Sequence, residues 1–193
     1  RAAAGPDLDH VDDRRLDRQA GALLETVDAR RLHHRRDVGA AVPGVAQAAY
    51  VIGLGLTDAL MHVAPGLSAE RYPELAQRYR HHYLASQHAL VLFEGTLAML
   101  TDLRARNHWL AVATGKSRRG LDQVLQQSGL GPLFDATRTA DETQSKPHPQ
   151  MLLELMREFG VDPGRTLMIG DTTHDLQLAA NAGAPRVGVS FGA

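Results

Sequence analysis

The sequence predicts an α/β protein: a parallel sheet covered by helices on both faces, preceded by an all-helical region. Three observations predict it. From residue 89 onward, short apolar runs alternate with amphipathic helical stretches, the pattern of successive βα units. Residues 42–88 show helical periodicity and no strand-like run. Finally, Thr166-Leu167-Met168-Ile169 stops at Gly170-Asp171 before an alanine-rich helix, as a parallel strand does when it delivers a carboxylate to the ligand-binding edge of a sheet.

The 193 residues, 44% of them hydrophobic, suffice for one ordinary domain, or one domain with a smaller insert. A formal charge of -1 gives no global attraction to nucleic acid or to an anionic membrane, so any phosphate binding must be local. With no cysteine there is no disulfide framework and no thiolate chemistry. No apolar stretch approaches the ~18 residues that span a bilayer, and no signal-peptide pattern opens the chain, so a cytoplasmic location is expected. An opening Arg1 in place of Met is compatible with a fragment.

Residues 1–41 form an atypical amino-terminal segment. Up to residue 49 only eleven residue types occur, with no Ser, Ile, Lys, Asn, Met, Phe, Trp or Tyr. Leu16, Leu23, Leu24 and Val27 allow a helix over 12–34. The cluster Arg30, Arg31, His33, His34, Arg35, Arg36 reads as a charged helix face or arm balanced by nearby aspartates rather than as a nucleic-acid contact. Gly53-x-Gly55 lacks the third glycine of a dinucleotide fingerprint and reads as a break between two helices, the second over 57–63. Pro65-Gly66 turns the chain, Ser68 can cap, and Tyr72, Leu75, Tyr79 and Tyr83 share one helical face.

The βα series begins after Leu90–Phe93. A helix is expected over 96–106 with Leu97, Leu100 and Leu103 inward, then a buried strand over 109–113 that ends at Thr114-Gly115-Lys116-Ser117. A helix follows to about Gln127, with Gly129 as its stop, and 134–139 is a further strand. The loop Ser145-Lys146-Pro147-His148-Pro149, stiffened by two prolines, precedes a helix over 150–159 with Met151, Leu152, Leu155, Met156 and Phe159 inward. Gly160 ends it. Asp162-Pro163-Gly164 turns into the strand before Asp171, a helix over 173–181 stops at Gly183, and 186–190 is a last strand.

Three loops thus converge on one sheet edge, bearing Thr114, Gly115 and Lys116, then Lys146, then Asp171 and Asp175. Each residue has a plain reading: Thr114 or Asp171 as a helix cap, the lysines as solvated surface groups, Asp175 as a first-turn acid. Together, a hydroxyl and backbone N–H groups at a helix start, a lysine, and two carboxylates suited to Mg²⁺ are the parts of a phosphoryl-transfer site. Gly115 lets the backbone come close to an anion.

Ala111-Val112-Ala113-Thr114-Gly115-Lys116-Ser117, Ser145-Lys146-Pro147-His148-Pro149 and Met168-Ile169-Gly170-Asp171-Thr172-Thr173-His174-Asp175 resemble, in order and spacing, motifs two, three and four of the haloacid dehalogenase superfamily, within it the phosphoglycolate phosphatase-like hydrolases. The likeness runs from about Val42 to Ala193. It implies a Rossmann-like core over 89–193, a helical cap over 42–88, and hydrolysis of a small phosphate monoester with Mg²⁺ through an aspartyl-phosphate. In that scheme Thr114 binds the transferring phosphoryl oxygen, Lys146 neutralises charge, Asp171 ligates Mg²⁺ and Asp175 supports the metal site. Gly115 and Lys116 would line the phosphate pocket, and residues 53–58 would help choose the substrate. The implied partner is a small phosphorylated metabolite.

The resemblance also implies an apolar strand followed by Asp-x-Asp-Gly-Thr, which supplies the nucleophile and an acid–base partner. Residues 1–49 do not contain it. Asp7-Leu8-Asp9 has the carboxylate spacing without the strand or the Gly-Thr, and counting back from Val51 by the family's separation reaches Arg15 and Asp17. Since all eleven residue types have GC-rich codons, residues 1–36 are read as a shifted frame, the true frame resuming near Asp37-Val38-Gly39; a divergent amino-terminal region is the rival. Translating the encoding DNA in all three frames decides between them. The carboxyl end is short for this family. Little or no turnover is expected of this chain, and a non-catalytic binding protein on the same scaffold is the alternative.

Overall fold

The computed structural model describes residues 45–85 and 92–190. The helix expected over 12–34, the Arg30–Arg36 cluster and Asp7, Asp9 and Asp17 lie outside the described residues. The chain divides into two compact units, Arg1–Ile52 with Leu56–Gln87, and Gly53–Gly55 with His88–Ala193.

In the first unit, α1 (Val45–Tyr50), α2 (Leu56–Val63) and α3 (Tyr72–Ala85) are separated by the breaks that glycine and proline predict. Ala59 and Leu60 of α2 and Leu75 and Ala76 of α3 are buried, and α2 and α3 pack on each other. Tyr72 donates its hydroxyl to the Ala64 carbonyl at 2.9 Å. Ser68 makes no side-chain cap, contrary to expectation, because a short 3₁₀ turn over Ala69–Arg71 precedes the helix instead. Among the described residues no helix is long and apolar enough to cross a membrane.

The second unit runs α4 (Thr96–Ala105), β1 (Ala111–Thr114), α5 (Arg118–Ser128), β2 (Ala136–Thr139), α6 (Gln150–Phe159), β3 (Met168–Gly170), α7 (Thr173–Asn181) and β4 (Arg186–Gly188). This is the alternation of an α/β fold. Gly129 and Gly160, with φ of 68° and 64°, end α5 and α6 in the left-handed conformation that a Cβ disfavours. β1 pairs with β2 from Ala111↔Ala136 to Thr114↔Thr139, and β3 with β4 from Met168↔Arg186 to Gly170↔Gly188, both parallel. Among the described residues the sheet is therefore two parallel pairs rather than the continuous one expected. One core serves both. Met151, Leu152 and Met156 of α6 and Leu178 and Ala179 of α7 cluster with Ala182 and Ala184, and Ala113 of β1 and Met168 of β3 pack against that cluster.

Leu97 and Trp109, expected in the core, are at the surface, and no residue of the strand expected as buried over 109–113 is fully buried. Leu97 is 57% exposed: α4 is tied down through its carboxyl half, where Arg104 bonds the Leu133 carbonyl and Asp135 Oδ1, and its first turn is left out. Trp109 is 62% exposed, because β1 begins only at Ala111 and the indole instead stacks on Phe159, 5.4 Å between centroids.

Candidate functional site

Thr114, Gly115, Lys116, Lys146, Asp171 and Asp175 fall in the second unit, at and after the end of β1, before α6 and after β3. β1 ends at Thr114, whose Oγ1 accepts from the Lys116 N–H at 3.2 Å and so tightens Thr114-Gly115-Lys116 into a turn. The helix cap is Ser117 rather than Thr114: its Oγ accepts from the Gly120 N–H at 3.3 Å at the start of α5. Lys116 is exposed, and its carbonyl accepts from the Ala140 N–H at 3.1 Å.

Gly115 is needed for a reason the sequence did not show. A Cβ there would lie 2.5 Å from the Leu54 carbonyl oxygen and 2.6 Å from that of Gly53. The close approach that a glycine permits is made by the chain's own backbone, where an anion was expected.

Lys146 and Asp175 are both buried, and Lys146 Nζ lies 2.5 Å from Asp175 Oδ1. The second carboxylate oxygen, Oδ2, accepts from the Thr172 N–H at 3.1 Å and from the Thr172 hydroxyl at 2.7 Å. Thr172 in turn caps α7 by accepting from the Asp175 N–H, which completes a capping box. Burial pushes the Asp175 carboxyl up, but the Lys146 ammonium, with the hydrogen bonds from Lys146 and Thr172, outweighs it and holds the group below the ordinary carboxylate value. Asp175 is thus not the solvated first-turn acid of its plain reading, and both its oxygens are engaged. Gly170 makes room for this, since a Cβ there would fall 2.2 Å from the Asp175 Cβ.

Asp171, one residue beyond β3, is exposed and its carboxylate has no hydrogen-bond or salt-bridge partner among the described residues. Mg²⁺ is commonly held by one or two carboxylates plus water and phosphate oxygens. Asp171 fits that role. Asp175 does not, because an ammonium already sits on one oxygen and the Thr172 donors on the other. No group of three or more His, Cys, Asp or Glu side chains among the described residues forms a ready-made metal cage.

Sequence reasoning missed Thr172 and Ser145. Thr172-x-x-Asp175 is a legible capping pattern, so Thr172 had a signal. Ser145, whose Oγ accepts from the Gly55 N–H at 2.8 Å across 90 residues, had none.

A unit of parallel strands and covering helices, with its polar groups in loops beyond the strand ends, is an α/β domain of the kind that binds ligands along that edge. The sequence profile of the haloacid dehalogenase-like hydrolases matches residues 32–189, and the chain belongs to that family. It is 36% identical over 128 residues to a phosphoglycolate phosphatase of Caulobacter vibrioides, covering 65% of this chain and 54% of that protein. It is 32% identical over 142 residues to the pyrophosphatase PpaX of Halalkalibacterium halodurans, covering 72% of this chain and 64% of that one. The chain spans roughly half to two thirds of the length of the curated relatives it matches. A crystal structure of β-phosphoglucomutase from Clostridium difficile shares the fold, with a TM-score of 0.68 at 18% identity over 88% of this chain and 78% of that one.

Proposed function

We propose that the site is that of a Mg²⁺-dependent phosphatase for a small phosphate monoester, phosphoglycolate being the substrate named for the relative from Caulobacter vibrioides. The observation that carries the reading is the buried Lys146–Asp175 pair, because it ties the loop before α6 to the turn that bears Asp171. A cation for the phosphoryl group and an open carboxylate for the metal are then held in one rigid assembly, and such preorganised charge stabilises phosphoryl transfer. Thr114 would donate its hydroxyl to a phosphoryl oxygen, with Gly115 and Lys116 beside it. Lys146, positioned by Asp175, would offset charge on the phosphoryl group. Asp171 would hold Mg²⁺, which supplies Lewis-acid stabilisation of the phosphoryl oxygens.

No described residue is assigned as nucleophile, and residues 1–49, where the family's aspartate would stand, hold no Asp-x-Asp-Gly-Thr after an apolar strand. The chain is accordingly proposed to bind phosphate and Mg²⁺ with little or no turnover. A second reading, a binding protein on the same scaffold, is favoured by the engagement of both Asp175 oxygens.

The test is calorimetric titration with Mg²⁺ and inorganic phosphate, beside hydrolysis of p-nitrophenyl phosphate and phosphoglycolate. Binding that Asp171→Asn weakens, with turnover at background, is the expected result. Failure to bind either ligand overturns the site. Turnover abolished by Asp171→Asn but unaffected by substitution of Asp7, Asp9 and Asp17 overturns the missing nucleophile.

A further inference from the structure

The loop that carries Lys146 is short of backbone donors, because Pro147 and Pro149 lack an N–H. It closes on itself through the His148 N–H, which donates to the Ser145 carbonyl at 3.0 Å. From outside, the Pro147 carbonyl, one residue beyond Lys146, accepts from Asn181 Nδ2 at 2.9 Å across 34 residues. Asn181 is the last residue of α7, whose first turn holds Asp175. One helix therefore grips the lysine twice: Asp175 near its start holds the ammonium, and Asn181 at its end holds the adjoining main chain. Leu178 and Ala179, both 0% exposed, fix that helix in the core between the two grips.

The Asn181 amide is itself oriented. Its Oδ1 accepts from Gln177 Nε2 at 2.8 Å, one turn earlier on α7, which leaves the NH₂ group for Pro147. The orientation matters because a lysine has a flexible stem and more than one N–H donor. With only its tip held, the stem can reach Asp175 from several directions, and the donors not used by Asp175 aim differently in each. With the main chain held as well, the stem spans two fixed points and those donors keep one direction. A ligand that needs them binds only the aligned population, so its apparent affinity falls as that fraction falls.

We propose that Asn181 is a positioning residue for Lys146, and that the relay Gln177–Asn181–Pro147 sets where the remaining lysine N–H bonds point. The inference rests on the phosphate-site reading above and adds to it the residue that aims the cation of that site. Asp171 precedes α7 and lies outside the loop, so Mg²⁺ affinity is independent of the relay. A hydrogen bond that served α7 or the core alone would change stability without separating one ligand from the other.

The experiment compares the full chain with Asn181→Ala, Asn181→Asp and Gln177→Ala. The readouts are the Kd for inorganic phosphate, the Kd for Mg²⁺ and amide exchange at His148. Both Asn181 substitutions delete the donor, but only the aspartate adds a negative charge, which is unfavourable at a helix C-terminus and repels phosphate. Equal effects of the two therefore report the donor. Each is expected to weaken phosphate binding about threefold and to speed His148 exchange about threefold, the worth of one exposed hydrogen bond, with the Mg²⁺ Kd unchanged. Gln177→Ala gives a smaller change of the same sign. Unchanged His148 exchange in both Asn181 variants overturns the tether. Faster exchange with an equal phosphate Kd overturns the positioning role and leaves the phosphate site standing. Equal weakening of phosphate and Mg²⁺, or weakening by the aspartate alone, overturns the role as well. Absence of phosphate binding by the unsubstituted protein overturns the phosphate-site reading, and the role with it.

Discussion

Replacing Lys146 by Met removes the ammonium and keeps much of the side-chain volume, which isolates the electrostatic role of the pair. Both side chains are 5% exposed, so the Asp175 carboxylate left behind has no access to water that would compensate it. The Thr172 N–H and hydroxyl still serve Oδ2, but Oδ1 loses its recorded partner. Stripping one member from a buried ion pair costs about 3–5 kcal/mol, against a total stability of about 5–15 kcal/mol for a folded domain. Trp109, the chain's single tryptophan, stacks on Phe159 within the same unit, so urea unfolding followed by its fluorescence reads the stability of that unit. The pH dependence has a fixed sign. Asp175 is held below its ordinary value in the folded protein, so the stability it contributes is present above the ordinary carboxylate pKa and is lost as pH falls through the depressed one. In Lys146→Met burial acts unopposed by the ammonium, and acidification relieves the charged group, so the difference between the two proteins shrinks toward low pH. A loss below about 1 kcal/mol at pH 7, the worth of an exposed pair, refutes the reasoning.

Three further substitutions test the frame around that pair. Gly170→Ala places a Cβ 2.2 Å from the Asp175 Cβ and is expected to cost at least the ~1–3 kcal/mol of an overpacked core, read by the same urea titration. Thr172→Ala removes the α7 cap and a donor to Asp175, with an expected loss of about 1–2 kcal/mol and lowered helicity by circular dichroism. Leu178→Ala empties a position that is 0% exposed in the shared core, with an expected loss of about 2–5 kcal/mol in thermal or urea unfolding.

The elements most legible in the sequence were those whose pattern is local. The helices over 150–159 and 173–181 fall where the apolar spacing and the flanking glycines place them, because period and punctuation act within a few residues. The strands were overdrawn at their ends. β1 begins two residues into, and β4 ends two residues before the end of, the apolar runs that suggested them, since a hydrophobic run records burial and not hydrogen bonding. Leu97 and Trp109 went wrong for the same reason: which apolar groups are covered depends on what packs over them, and that is decided far along the chain. At the candidate site the residue types and their places at the strand ends could be read, but their pairing could not. Nothing in Lys146 or Asp175 taken alone announces that each is the other's partner across 29 residues, or that Ser145 receives the Gly55 amide across 90.

Asp171 and Asp175 show how far position outweighs residue type. They are four residues apart, and the sequence reading placed both at the metal site, Asp171 as ligand and Asp175 as its support. Gly170 decides between them, because its bare Cα lets the Asp175 side chain fold under the end of β3 into the grip of Lys146 and Thr172, while Asp171 stays at the surface. A carboxylate so gripped is a poor metal ligand but a good anchor: it holds a lysine stationary in a buried place, which a free lysine would leave for solvent. On the reading proposed above the two aspartates divide the work, Asp171 open to a hard cation and Asp175 holding the cation the chain itself supplies. On that reading, Mg²⁺ held by Asp171 and the Lys146 ammonium would both favour an anionic ligand, and phosphate is one.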